Sequence, residues 1–294
     1  MLPEFELLMP STLQDALGMM AERAPDARPL AGGTNLIPDL RAGTHRPGVL
    51  VNVEGLAELK GIRQQDGHVV VGSGVTMSEL LADELIEECG NVLLQAARVF
   101  ANPLVRNRAT LGGNLGNASP AADSAPPLLA LGAEARLSTS HGSRWVPLSH
   151  FFVGVCDTVS EPLELITAVR WPEPSSRSVG RFRKLMLRKA MAISVVSVAV
   201  QITVDDEGQC EEARIALGAV APTPVRGYRA EELLRGERLS SELIEEASEA
   251  ARGVASCIDD IRSSAEYRER VTDVLVRRVL TDVAEGLGQR EETR

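Results

Sequence analysis

The chain has 294 residues, with 31 basic against 41 acidic side chains and a formal net charge of −10. That acidic balance, with aromatic residues at only 3%, argues against a nucleic-acid surface, which carries a basic face and stacking platforms. The length suffices for two or three packed units; no apolar run approaches the roughly 18 residues that span a bilayer, and the first residues lack the basic start and apolar core of a signal peptide, so cytoplasmic residence is expected.

In chain order, residues 11–24 open on Ser-Thr and carry Leu13, Ala16, Leu17, Met20 and Ala21 at helical spacing, which predicts a capped amphipathic helix. Residues 29–31 read as a short strand leading into Ala31-Gly32-Gly33-Thr34-Asn35-Leu36, residues 36–41 as a helical turn and residues 48–53 as a second strand. A small α/β unit over residues 1–57 is expected. Residues 68–72 read as a strand, and Thr76 and Glu79 have capping-box spacing. Helices are expected through Leu80 and Leu81 and over residues 91–101. A second glycine loop follows, Thr110-Leu111-Gly112-Gly113-Asn114-Leu115-Gly116-Asn117-Ala118-Ser119-Pro120-Ala121-Ala122-Asp123, feeding a helix at residues 126–131. Short strands at 133–137, 144–146 and 164–169 complete a unit over residues 58–173. Trp171-Pro172-Glu173-Pro174-Ser175-Ser176 reads as the linker. Beyond it, strands at 194–204 and 212–220 flank an Asp-Asp-Glu-Gly turn. Helical patterns at 230–235, 240–252 and 265–285 then give an α+β unit over residues 177–287. Residues 288–294 read as disordered.

The two glycine loops carry the functional signal. Paired glycines admit φ > 0 and a close backbone approach, successive amides form an anion-binding concavity, and neighbouring Thr, Ser and Asn side chains add donors. Taken alone, a Gly-Gly pair is most often only a turn, and no intact dinucleotide or P-loop fingerprint occurs. The order of the motifs decides the matter. Ala31 to Leu36 matches A-G-G-[TH]-[ND/S]-L, Arg106 to Asp123 matches R-N-x-A-T-[IL]-G-G-N-L…S-P-A-A-D, and Phe182 to Ile193 is similar to a K-x-x-x-R-[RK] segment leading into a strand. Over nearly its full length the chain resembles the FAD-binding medium subunit of molybdenum hydroxylases, the xanthine dehydrogenase and carbon monoxide dehydrogenase group.

The resemblance implies an α+β architecture: a two-part FAD-binding domain of the PCMH type, then a C-terminal α+β domain with an antiparallel sheet and helices. It implies non-covalent FAD, with molybdopterin and 2Fe–2S clusters held by partner subunits. Those partners would be a large molybdopterin-binding subunit and a small iron–sulfur subunit, in a dimer of heterotrimers with NAD⁺ or a quinone as acceptor. Ala31, Gly32, Gly33, Thr34, Asn35 and Leu36 would wrap the pyrophosphate. Thr110, Gly112, Gly113 and Asn114 would meet its other side, with Ser119 and Asp123 toward the ribityl and adenosine parts. Lys184 would place positive charge near the flavin, and Ile193 would face the isoalloxazine, where carbon monoxide dehydrogenases often present an aromatic residue.

Each of these residues has a blander alternative: Asp123 as a helix cap, Lys184 as a solvated edge-strand lysine, Ile193 as core. Arg106 and Arg108 are either phosphate anchors or supports for loop carbonyls. Cys89, Cys156, Cys210 and Cys257 are too scattered for an iron–sulfur or zinc loop, and the four histidines lack metal spacing. No nucleophilic triad or paired-carboxylate constellation stands out, as expected where a cofactor carries the chemistry. Two other functions fit the same residues: a free-standing FAD-dependent oxidoreductase, or a flavin-free assembly subunit.

Overall fold

In the computed structural model, which describes residues 2–292, the first unit is built from β1 (Glu6–Leu8), α1 (Leu13–Glu22), β2 (Ala27–Leu30), α2 (Leu36–Ala42) and β3 (Val49–Asn52). The three strands pair in parallel in the order β1-β3-β2. Thr12 caps α1 by accepting from the Asp15 N–H at 3.1 Å. One face of that helix buries Ala16, Leu17 and Met20 in a small core with Val49 and Val51. Strand β1 has no counterpart in the sequence reading, because three residues are too few to show a period of two.

The second unit runs through β4 (Ile62–Gln65), β5 (His68–Gly72), α3 (Met77–Leu81), α4 (Glu84–Cys89), α5 (Asn91–Arg98), α6 (Pro103–Arg106), α7 (Leu111–Asn117), α8 (Ala125–Ala130), β6 (Glu134–Thr139), β7 (Gly142–Pro147), the small hairpin β8 (Phe152–Gly154) and β9 (Asp157–Thr158), and β10 (Leu165–Pro172). Its main sheet is antiparallel, in the order β4-β5-β10-β6-β7. The capping box expected at Thr76 and Glu79 is formed in both directions.

Two expectations change here. Residues 111–117 are a helix rather than a loop, although three of the seven are glycine. The Thr110 hydroxyl caps this helix, and hydrogen bonds to Ser73 and Val75 anchor its first turn, so tertiary contacts override poor intrinsic propensity. Trp171 is not in a linker: it lies in β10, fully buried, and its indole N–H donates to the Cys89 carbonyl at 2.9 Å. The connection starts only after Pro172.

The third unit holds β11 (Ser178–Leu185), β12 (Val196–Val204), β13 (Cys210–Gly218), β14 (Val225–Arg226), α9 (Tyr228–Leu234), α10 (Ser241–Arg252) and α11 (Ala265–Glu292). The strands form an antiparallel sheet in that order. The α+β architecture is therefore as expected, but α11 runs on to Glu292 where disorder was expected from residue 288, and residues 293–294 lie outside the described residues.

Strand β12 is buried on both faces, which its sequence shows by alternating large and small residues. Val196, Val198, Val200, Ile202 and Val204 face the core shared with α10 and α11. On the other face Ala199, with Ala216 of β13 and Phe182 of β11, joins the core of the second unit. The small residues set how close that unit comes. A Cβ on Gly218 would lie 2.8 Å from Pro126 Cγ, and one on Gly180 would lie 3.1 Å from Val92 Cβ. This bare face seats α8 and α5 directly on the third sheet, bringing the segment before α8 beside the end of β11.

Candidate functional site

The first glycine motif is the turn between β2 and α2. Gly33 has φ +69°, a conformation that L side chains rarely adopt. Gly32 serves a different end: a Cβ there would sit 1.7 Å from the Arg108 carbonyl oxygen and 2.5 Å from its carbon. The missing side chain is what lets the first motif touch the start of the second. Among the described residues, the backbone N–H groups of residues 32–35 meet no acceptor. The turn thus presents successive open donors, the arrangement that receives an anion.

The second motif works mainly as scaffold. The N–H groups of Leu111, Gly112, Gly113 and Asn114 are all engaged, by Val75 O, Ser73 O, Thr110 Oγ1 and Thr110 O respectively. Gly112 is buried, and a Cβ on it would lie 2.5 Å from Ser73 Cβ. Its role is close packing of α7 on the turn after β5. Gly113 and Gly116, one turn apart, are exposed, and they leave one side of the helix bare backbone. The Asn114 side-chain carbonyl accepts from the Ser124 hydroxyl at 2.6 Å, tying α7 to the segment that carries Ser119 and Asp123. Ser119 accepts from the Ala121 N–H at 3.3 Å in a local turn.

Both arginines have protein partners. Arg106 donates to the Phe100 carbonyl at 2.8 Å. Arg108 forms a two-point pair with Glu54, at 2.9 Å and 2.5 Å, linking the end of the first unit to the second motif. Arg106 thus supports a loop carbonyl, one of the two roles weighed for it, whereas Arg108 pairs with a carboxylate rather than with a carbonyl.

Asp123, Lys184 and Ser194 form a buried cluster at the junction of the second and third units. The Lys184 ammonium donates to Asp123 Oδ2 at 2.7 Å and to the Ala192 carbonyl at 3.1 Å. Ser194 Oγ donates to Asp123 Oδ1 at 2.8 Å. The Lys184 side chain is 0% exposed, so it is not a solvated edge lysine. Asp123 caps no helix; Ser124 occupies that position before α8. Burial pushes the Asp123 carboxyl up, while the Lys184 ammonium and the Ser194 hydroxyl pull against that shift. With the pair formed, Lys184 contributes a dipole rather than a net positive charge.

Ser194 was missed in the sequence, where nothing distinguishes it from the strand residues that follow. Ile193 beside it is 64% exposed, and Leu187 and Met191 of the same segment are exposed too, so Ile193 is not core. Concavities of about 450 and 340 Å³ lie between α5, β11 and α11, sharing Gln95, Phe182 and Arg183; neither includes a residue of the glycine motifs. The buried Cys210 thiol is pushed up to about 11 by burial, which makes it unreactive. Among the described residues no helix is long and apolar enough to cross a membrane.

Taken together, the first motif touches the second through Gly32, the second reaches the Ser119–Asp123 segment through Asn114, and that segment meets Lys184 and Ser194. Residues far apart in sequence are therefore joined by one continuous chain of contacts.

Comparison with known proteins identifies the family of the chain. Residues 3–174 match the family model described as FAD binding domain in molybdopterin dehydrogenase, and residues 181–283 match the CO dehydrogenase flavoprotein C-terminal domain. The chain is 32% identical to the xanthine dehydrogenase FAD-binding subunit of Escherichia coli O157:H7 over 280 residues, 95% of each chain. It is 31% identical to the carbon monoxide dehydrogenase medium chain of Afipia carboxidovorans, covering 94% of this chain and 95% of that one. In three dimensions it superposes on a chain of the carbon monoxide dehydrogenase of Hydrogenophaga pseudoflava with a TM-score of 0.94, at 29% identity, over 98% of this chain and 99% of that one. The chain therefore belongs to the family of FAD-binding subunits of molybdopterin dehydrogenases, oxidoreductase subunits of the xanthine and CO dehydrogenase type.

Proposed function

We propose that the chain holds FAD non-covalently where its two glycine motifs meet and acts as the electron outlet of a heteromeric molybdenum hydroxylase. The observation that carries this placement is the Gly32–Arg108 contact, which sets the open N–H row of residues 32–35 against the segment that leads into α7. Bound there, FAD would supply a carrier able to take electrons singly from an iron–sulfur cluster and release them singly or in pairs.

This chain's own residues bind and orient. The amides of residues 32–35, with Thr34 and Asn35 side chains as further donors, suit a pyrophosphate; Ala31 and Leu36 frame that turn. Thr110 and Gly112 act indirectly, by capping and seating α7. Gly113 keeps its exposed side free of a side chain, and Asn114 has a side-chain NH₂ still to offer. Ser119 and Asp123 offer polar groups beyond the pyrophosphate, Lys184 orients the Asp123 carboxylate, and Ile193 offers an aliphatic surface to the isoalloxazine.

The electron donors in this reading are 2Fe–2S clusters of a small partner subunit, and molybdopterin resides in a large one. The names of relatives support an assembly: several are a medium chain or a subunit, and one of Paenarthrobacter nicotinovorans is a complex subunit. A dimer of heterotrimers in the cytoplasm, with NAD⁺ or a quinone as acceptor, completes the proposal. In the purified complex, stripping FAD should leave the organic substrate able to reduce the iron–sulfur clusters, followed by absorbance, while abolishing reduction of NAD⁺ or quinone. Acceptor reduction that persists without FAD would contradict the outlet role.

A further inference from the structure

The loop between α10 and α11, residues 253–264, packs Val254, Ala255 and Cys257 on the core of the third unit, but its tip is tied to the site by charge. Its tip is a tight hairpin in which Asp260 and Ser263 exchange backbone hydrogen bonds of 3.1 and 3.2 Å. The two large apolar side chains beside it, Ile258 and Ile261, are 65% and 102% exposed, so they hold nothing down. The polar residues do so instead. The Asp260 carboxylate accepts from Arg262 Nε at 3.0 Å and Nη2 at 2.6 Å, and its other oxygen pairs with Arg268. Arg262 and then Arg268 hold that carboxyl well below the usual range, so both pairs persist at neutral pH.

From this carboxylate two routes lead to the same segment of the second unit. In the first, Arg262 Nη1 donates to the Ser194 carbonyl at 2.9 Å, and the Ser194 hydroxyl donates to Asp123 at 2.8 Å. In the second, Arg268, buried at 2% exposure, donates from Nη1 to the Ala219 carbonyl at 3.2 Å. The Ala219 N–H in turn donates to the Pro120 carbonyl at 2.8 Å. Ala219 has φ +62°, a conformation uncommon for alanine that needs outside support. One carboxylate thus fixes two guanidinium groups, and each fixes one end of the 120–123 stretch.

We propose that Asp260 is a positioning residue for the flavin site, holding the Pro120–Asp123 stretch in place from the C-terminal unit through Arg262 and Arg268. The inference rests on the placement of Ser119 and Asp123 at the flavin given above. It goes beyond that placement by making the α10–α11 loop part of what sets the cofactor's affinity and potential. A residue that only stabilised the third unit would lower the unfolding midpoint and leave both properties alone.

The test uses the full chain in its FAD-loaded complex, reading the FAD dissociation constant, the flavin midpoint potential and the unfolding midpoint. Asp260→Ala should weaken FAD binding about tenfold, which is about 1.4 kcal/mol, and displace the potential, while Asp260→Glu recovers part of both. Arg262→Gln, which cuts only the Ser194 route, should give a smaller change and keeps the test readable if Asp260→Ala fails to fold. Its effect should be less than additive with Ser194→Ala, since the two act in series. Unchanged affinity and potential in Asp260→Ala and Arg262→Gln, with both altered in Asp123→Asn, would overturn the positioning role and leave the site intact. No change in Asp123→Asn either would overturn the site placement and the positioning role together.

Discussion

Substitution of Gly32 by alanine is expected to open the seam between the two glycine motifs and to weaken FAD binding at least about a hundredfold, or about 2.7 kcal/mol. The added Cβ would lie 1.7 Å from the Arg108 carbonyl oxygen, where no rotamer change can relieve it, because the obstacle is backbone. Overpacking usually costs about 1–3 kcal/mol, and a clash with main chain belongs at or above the upper end. Arg108 cannot retreat freely, since its side chain is paired with Glu54 and the following residue accepts from the Met77 N–H at 2.9 Å. The first motif must therefore move away, carrying the open amides of residues 32–35 with it. Equilibrium titration with FAD, alongside a denaturation curve, separates lost affinity from lost fold. Gly55, whose Cβ would meet nothing within 4 Å, is the matched control, and alanine there should leave FAD affinity unchanged.

The second large effect is expected at Lys184. Removing one partner of a buried ion pair costs about 3–5 kcal/mol, because the other charge is left desolvated, so Lys184→Met should lose about that much stability at pH 8 by chemical denaturation. The loss should shrink in acid. Burial already pushes the Asp123 carboxyl up, and the ammonium opposes that shift; in the variant the opposition is gone. A carboxyl whose pKa is raised on folding contributes stability that is fully present below its unfolded value, about 3.9, and is lost as pH rises through its folded value. The variant should accordingly be more stable near pH 5 than near pH 8 relative to wild type. Adding Asp123→Asn should recover much of the alkaline loss, because no charge then remains to be buried. Equal destabilisation at both pH values would show that the pair matters through packing alone.

Much of the site could be read from sequence, but only as separate pieces. The two motifs and the order in which they occur point to FAD, and the strands of the third unit announce themselves by their β-branched residues. What sequence could not show is the reason for particular residues. Gly32 is glycine because of Arg108, a contact that links one loop to another seventy-odd positions away. Gly112 and the amides around it looked like ligand contacts, whereas they are spent on Ser73, Val75 and Thr110. In sequence Asp123 and Lys184 address the flavin independently; in the structure they are partners, and Ser194 completes their cluster. Trp171 sat among prolines and read as linker; the indole hydrogen bond to Cys89 that keeps it in the core joins positions distant in sequence. Each difference comes from a long-range contact overriding a sound local rule.

The most direct test of the whole account is a visible absorption spectrum of the full chain, co-purified with its partner subunits, in wild type and in Gly33→Trp. Gly33 combines φ +69° with Ile37 and Leu30 side chains at 3.1 and 3.3 Å from a Cβ, so an indole there disrupts the turn that offers the open amides. Flavin released from the complex by denaturation, identified by its bands near roughly 375 and 450 nm and so separated from the iron–sulfur absorbance, is expected at about one FAD per chain in the wild type and is expected to be absent from the folded variant. A folded wild-type complex that releases no flavin even after incubation with FAD, or a Gly33→Trp complex that keeps its full flavin complement, would contradict that placement.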